Sequence, residues 1–481
     1  DVCSSDLGLG LRAGERVGMM ALNSDRYLEY YFGSWWAGCV VNPVNVRWSA
    51  AEVAYSLDDC DTTVLIVDDH FAPMVAELRT RSRSLRTVIH LGAGAPPEGM
   101  LSWERLVAHA SPAQDAMRRG DDLAGVFYTG GTTGFPKGVM LSHTNLASNA
   151  LTDVADGLVA PDGTALMVAP MFHLAATALL LSNMIVGSRL VFLPSFTPQG
   201  VLGAIQAEQV TSALLVPTMI QMVIDHPSLK DHDTRSLRDV AYGASPISEG
   251  VMNRALAALP GARFTQAYGM TELSPCATFL PPWYHTAEGR GAGKIRSAGR
   301  AASACEVRIT DPDDREVPRG TVGEVCVRGP GVMQGYWNQP ELTAQALRGG
   351  WMHTGDAAYM DEDGFVFIVD RVKDMIVTGG ENVYSVEVES ALSQHPAVAA
   401  ASVIGIPDDK WGEAVHAVVV FKPGQSASAE ALVAHARGLI AGYKCPRSIE
   451  VREALPLTAA GKVQKTELRK PFWEGQSRNV A

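Results

Sequence analysis

No uninterrupted apolar run approaches the roughly 18 residues of a membrane span. The richest stretch, Thr177 to Leu193, is broken by Ser182, Asn183, Gly187, Ser188 and Arg189 and reads as core. Cysteine is sparse: the seven residues, at 3, 39, 60, 276, 305, 326 and 445, include no CxxC spacing. An odd count without that spacing argues against a disulfide framework or a cysteine zinc site, and fits a reduced cytoplasm. Positive charge is in deficit. A net charge of −12 argues against nucleic acid as a partner, because neutralising phosphate backbones takes Lys and Arg in excess. Repeats and low-complexity tracts are missing too. The opening DVCSSDL has neither an initiator Met nor the basic and apolar regions of a signal peptide, so it is read as a fragment edge.

What is present is a long chain of enzyme-like texture. At 481 residues, 47% hydrophobic and 19% charged, it has material for two or three domains. Short apolar runs such as Arg16–Leu22 and Thr63–Val67 alternate with amphipathic stretches such as Ser49–Leu57 and Phe71–Arg79, the pattern of β/α units. Between Ala298 and Arg328 the texture changes to short Val-rich strands separated by turns, which suggests antiparallel sheet. From Lys373 onward, two strand-like runs and helical stretches at Val386–Ser393 and Ala429–Ile440 make a compact α+β unit. The expected fold class is therefore α/β. Residues 1–372 form a large multi-layer domain with an antiparallel section, and 373–481 a small domain.

The densest chemical signal is Tyr128–Thr129–Gly130–Gly131–Thr132–Thr133–Gly134–Phe135–Pro136–Lys137–Gly138, with four glycines, three threonines and one lysine. With side chains nearly absent, backbone N–H groups can approach phosphate oxygens, while threonine hydroxyls add donors and Lys137 a mobile positive charge. It is not a Walker A loop, because Lys137 follows Pro136 and precedes Gly138. A serine-hydrolase elbow is absent as well: Gly243–Ala244–Ser245–Pro246–Ile247 lacks the second glycine.

The run resembles the phosphate loop of the adenylate-forming superfamily of acyl-CoA synthetases, adenylation domains and luciferases, and further motifs follow in the order found there. Tyr268–Gly269–Met270–Thr271–Glu272, Trp351–Met352–His353–Thr354–Gly355–Asp356, Asp370–Arg371–Val372–Lys373–Asp374 and Pro456–Leu457–Thr458–Ala459–Ala460–Gly461–Lys462 complete a set spread over the whole chain. The resemblance implies ATP, Mg²⁺ and coenzyme A as cofactor and co-substrates. Thr129, Gly130, Gly131, Thr132, Thr133, Gly134 and Lys137 would grip the β- and γ-phosphates. Thr271 would bond the α-phosphate and Glu272 would ligate Mg²⁺. Asp356 would accept the ribose hydroxyls with Arg371 beside it, and adenine would lie between Ala244–Ser245–Pro246 and the Tyr268 ring. Lys462 would stabilise charge at the adenylation step. The small domain would then swing about Lys373, and Gly380 would line the thiol channel.

The substrate side is read from Gly269 and His173. Acetate- and propionate-activating relatives carry tryptophan where Gly269 stands, so its absence is expected to leave room for a medium or long fatty acid. His173, in Pro170–Met171–Phe172–His173, falls where relatives line the acyl pocket. An aryl acid stays open as an alternative, as does an inactive nucleotide-binding relative. The expected partners are small molecules, with a homodimer possible. Departures from the family pattern are Gly130 for serine, Ser385 for proline, and Tyr242–Gly243–Ala244 for a more usual double glycine.

Overall fold

The computed structural model describes residues 10–129, 136–245, 247, 249–371, 374–378, 381–408, 410–457 and 463–474. Gly130, Gly131, Thr132, Thr133, Gly134, Pro246, Lys373, Gly380 and Lys462 lie outside the described residues, as does the side chain of Arg371.

Two sheets form the body of the chain. The first runs in the order Gly335–Tyr336, Lys137–Ser142, Leu123–Thr129, Val40–Pro43, Arg16–Met20, Val64–Val67, Thr87–His90, Leu101–Ser102. Its strands from Leu123–Thr129 to Leu101–Ser102 pair in parallel. The reason is visible in Val64–Val67: four consecutive apolar residues, all buried, have no polar face to give to solvent and must be covered on both sides. The covering helices start where the sequence caps them. Ser49 accepts from the Glu52 amide while the Glu52 side chain accepts from the Ser49 amide, which sets the start of Ala50–Asp59; Ser142 and Asn145 do the same for His143–Ala155.

The second sheet runs Arg300–Ala301, Cys276–Leu280, Arg263–Gly269, Asp239–Gly243, Ser212–Leu214, Thr164–Met167, Arg189–Phe192, and is antiparallel only at its first two pairings. A third, fully antiparallel sheet follows: Glu306–Thr310, Gly323–Arg328, Met352–Met360 and Val366–Arg371. Its Val325, Val327, Met352 and Val366 share one apolar core with Val17, Ile66 and Phe127 of the first sheet. The α/β class with an antiparallel section, expected from the sequence, is thus the one adopted.

Residues from Ile376 onward build a fourth sheet of Glu381–Val383, Ile376–Thr378, Gly412–Phe421, Val398–Asp408 and Ser448–Val451. It has its own core of Ile376, Val388, Leu392, Val403, Val415 and Leu432. Helices Ser385–Ser393 and Ala429–Arg437 cover it, each close to the stretch read from the sequence. Among the described residues no helix is long and apolar enough to cross a membrane.

Candidate active site

The site is assembled where strand ends of the first three sheets meet. Strands Leu123–Thr129 and Lys137–Ser142 pair antiparallel with Thr129 opposite Lys137, so these two phosphate-binding candidates face each other across the strand pair. Lys137 holds its Nζ 5.0 Å from the ring centroid of Tyr336, a cation–π contact.

In the second sheet Gly243 is registered beside Ala267, which places Ala244 and Ser245, just past the end of one strand, next to Tyr268 on the other. The approach is close enough that a Cβ on Gly243 would sit 2.1 Å from the Ala267 carbonyl oxygen, so only glycine fits. Ala244 has φ of +66°, a turn that carries the chain off the sheet there. Tyr268 donates its hydroxyl to Asp356 Oδ2 at 2.8 Å. The ring expected beside adenine and the carboxylate expected beneath ribose are therefore linked to each other across two sheets.

Beyond Tyr268 the chain turns through the short helix Thr271–Leu273, where Glu272 is 6% exposed. Tyr336 donates its hydroxyl to Glu272 Oε1 at 2.8 Å, and the Met333 amide donates to the Glu272 carbonyl at 2.9 Å. Burial, reinforced by the Glu272 charge, pushes the Tyr336 phenol well above its ordinary pKa, so it stays a donor. A buried carboxylate beside Lys137 is a hard oxygen ligand of the kind Mg²⁺ takes together with phosphate oxygens, and the residues present fit that ion.

Asp356 stands on a braced turn. Glu324 Oε1 accepts from the Gly355 amide at 2.9 Å and its Oε2 lies 2.9 Å from His353 Nδ1, while Thr354 Oγ1 donates to the Val325 carbonyl at 2.9 Å. Arg348 reaches both Asp314, at 3.0 Å, and Glu324, at 3.2 Å. The ligating atoms of Glu324, Cys326 and His353 lie within 4.8 Å of one another. A structural brace accounts for this arrangement: the Arg348 guanidinium compensates the Glu324 carboxylate, whose two oxygens are taken up by the Gly355 amide and the His353 ring. Glu324 and Tyr336, which contact the candidate site residues or the turn beneath them, were not singled out from the sequence. Each belongs to a stretch with no recognisable chemical motif, and only the three-dimensional contact gives it a role.

Gly269 requires a correction. A Cβ there would lie 1.9 Å from the carbonyl oxygen of Pro275 and 3.1 Å from the Cys276 Cα. The side chain is absent because backbone passes over that position, not because an acyl chain needs the room, so Gly269 supplies no argument for a long acid. His173 sits at the N-terminal end of helix Leu174–Ile185 with its ring 4.3 Å from that of Phe172.

Two family models cover most of the chain. The family model described as AMP-binding enzyme matches residues 7–337, and the model for the AMP-binding enzyme C-terminal domain matches 387–462. The chain is 40% identical over 464 residues to a feruloyl-CoA synthase from an Amycolatopsis species, covering 96% of this chain and 90% of that protein. It is 37% identical to the fatty acid–[acyl-carrier-protein] ligase ScoC of Streptomyces coeruleorubidus, covering 98% and 89%. Among solved structures, the anthranilate CoA ligase AuaEII in complex with anthranoyl-AMP superimposes with a TM-score of 0.89 at 28% identity, covering 98% of this chain and 90% of that one.

Proposed function

This chain belongs to the AMP-binding enzyme family, and from that premise we propose that it ligates an aromatic carboxylic acid to coenzyme A at the expense of ATP. The observation that carries the reading is the continuous run of contacts Lys137–Tyr336–Glu272 on one side and Tyr268–Asp356 on the other, which sets a cation and a buried carboxylate apart from a ribose-type acceptor. In this reading the polyphosphate of ATP is held at Lys137 and Glu272 and its nucleoside at Tyr268 and Asp356.

In the first step a carboxylate oxygen of the acid attacks the α-phosphorus, forming an acyl-adenylate as the bond to the bridging oxygen breaks and pyrophosphate leaves. Thr129 and Lys137, with the glycine-rich run 130–134, hold the departing phosphates; Thr271 donates to the α-phosphate and Lys462 meets the developing charge. Mg²⁺ held by Glu272 would neutralise phosphate charge when bound. In the second step the thiolate of coenzyme A attacks the acyl carbon and AMP leaves. Residues 373–481 act as a unit that turns about Lys373 between the steps, withdrawing Lys462 and presenting Gly380 to the pantetheine arm.

Aromatic acid is preferred to fatty acid for two reasons. The 40% identity to feruloyl-CoA synthase exceeds the 37% identity to ScoC, and Gly269 no longer argues for a long chain. A medium or long fatty acid is the second reading, favoured by the likeness to ScoC. Acid-dependent pyrophosphate release, followed by detection of the thioester, decides between them across ferulate, indoleacetate, anthranilate and the saturated series from acetate to palmitate. The expected ranking puts an aryl acid first by at least about tenfold in kcat/KM; palmitate or decanoate in first place overturns it.

A further inference from the structure

The segment 330–338 ties together two groups that the reaction needs held apart. The Asn145 side-chain amide donates to the carbonyls of Pro330 and Val332, both at 2.8 Å, and the Gln334 amide donates to Met140 at 3.0 Å. The Trp337 amide donates to Gly138 at 2.7 Å, its indole donates to the Asp59 carbonyl at 2.8 Å, and the Tyr336 amide donates to Thr343 Oγ1 at 2.9 Å. The backbone on both sides of Tyr336 is thereby pinned along the strand that begins at Lys137, independently of the Tyr336 hydroxyl.

Tyr336 itself is 6% exposed and touches both charges: the Lys137 ammonium lies over its ring, and its hydroxyl donates to Glu272. The two charges meet different parts of this one side chain, the ammonium its ring face and the carboxylate its hydroxyl tip. That separation matters. An ammonium and a carboxylate in contact would neutralise one another, and both the phosphate grip and the metal ligand would have to be rebuilt each time nucleotide bound. An aromatic ring with a terminal hydroxyl is the side chain that can occupy both: its face attracts the cation and its tip orients the anion.

We propose that Tyr336 is a positioning residue that directs Glu272 toward a nucleotide-bound divalent cation and keeps Lys137 from pairing with it. The assignment rests on the nucleotide reading given above. Removing the hydroxyl while keeping the ring separates the two tasks. Tyr336→Phe should weaken binding of Mn²⁺·ATP by about tenfold, the scale for losing a hydrogen bond to a charged group, yet leave metal-free ATP binding within about twofold. Tyr336→Leu removes the ring as well and should weaken both.

Binding is measured by calorimetry, with Mn²⁺ paramagnetic resonance for the free ion, on the full chain without any acid, and thermal melting checks that each variant keeps its fold. The same substitution in a Glu272→Gln background completes a double-mutant cycle, in which the effect of Tyr336→Phe should disappear. Unchanged Mn²⁺·ATP affinity in a folded Tyr336→Phe variant overturns the proposal, and so does an equal loss with and without Glu272. If Tyr336→Phe and Tyr336→Leu weaken metal-free ATP alike, the division between ring and hydroxyl is overturned. A wild-type protein that binds no nucleotide at all would instead overturn the ligase reading itself.

Discussion

At the scale of single residues, Gly269 and Asp153 carry opposite lessons. Gly269 faces backbone: with the Pro275 carbonyl 1.9 Å from where a Cβ would stand, any side chain forces the Thr271–Leu273 turn to move, and Glu272 with it. Gly269→Ala should therefore lower the melting temperature and depress kcat for every acid by a similar factor, on the order of tenfold or more, as expected when ligands are misplaced by a fraction of an ångström. Comparing the ranking of acids in the two proteins checks this; a shift toward short acids at unchanged stability would restore the pocket role. Asp153 faces core: it is 1% exposed on helix His143–Ala155, accepts from Ser182 at 2.8 Å, and its other oxygen has no hydrogen-bond partner. Burial pushes its pKa up to about 7, above the ordinary 3.8. A carboxyl whose pKa is raised on folding stabilises the fold fully below pH 4 and loses that contribution as pH rises through about 7. Asp153→Asn should therefore flatten the fall in melting temperature between pH 4 and pH 7, an effect of up to about 4 kcal/mol at about 1.4 kcal/mol per unit. An unchanged slope would show that Asp153 stays ionised.

At the scale of elements, the C-terminal helix Lys465–Trp473 shows what holds the last motif in place. It contributes one fully buried apolar residue, Leu468, to a cluster with Ile404 and Val418. Polar contacts do much of the rest. Lys465 pairs with Glu389 at 2.8 Å and bonds Ser385, Arg469 pairs with Asp374 at 2.7 Å, and the Trp473 indole donates to the Gly405 carbonyl at 3.0 Å. Arg469 and Asp374 are each 12% exposed, so losing the arginine takes a charged partner from a mostly buried carboxylate. Arg469→Ala should cost on the order of 2 kcal/mol, below the range for a fully buried pair, and raise hydrogen exchange first in the amides of Lys465–Trp473. Uniform protection throughout the small domain would mean that the pair does not anchor the helix.

The same elements show why parts of the fold were legible and others were not. Val64–Val67 declares a covered strand by itself, and the capped starts at Ser49 and Ser142 rest on interactions within four residues. Neither the pairing of Gly335–Tyr336 with the strand from Lys137 nor the bracing of Gly355 by Glu324 leaves such a mark, because partners far apart in sequence need satisfy no local pattern. Phe71–Arg79 splits into Ala72–Met74 and Val75–Arg81, with Pro73 at the helical start.

Over the whole molecule, the motif residues Tyr268, Asp356 and Lys137 lie on three different sheets and Glu272 on the short helix Thr271–Leu273, and the fold brings them into two runs of contacts. What the motifs could not carry was the identity of the acid. That property depends on the shape of a cavity formed by many side chains, and the one residue singled out for it, Gly269, answers to the backbone instead.

The central claim is that this chain makes an acyl-adenylate before any thiol is engaged. It is tested most directly by exchange of labelled pyrophosphate into ATP with an aryl acid present and coenzyme A absent, in the wild-type protein and in Lys462→Ala. The expected result is acid-dependent exchange in the wild type, reduced by at least about 10² in the variant, with thioester formation from supplied acyl-adenylate nearly retained. Absence of exchange with every aryl and fatty acid tried, in a folded protein that binds ATP, would contradict it.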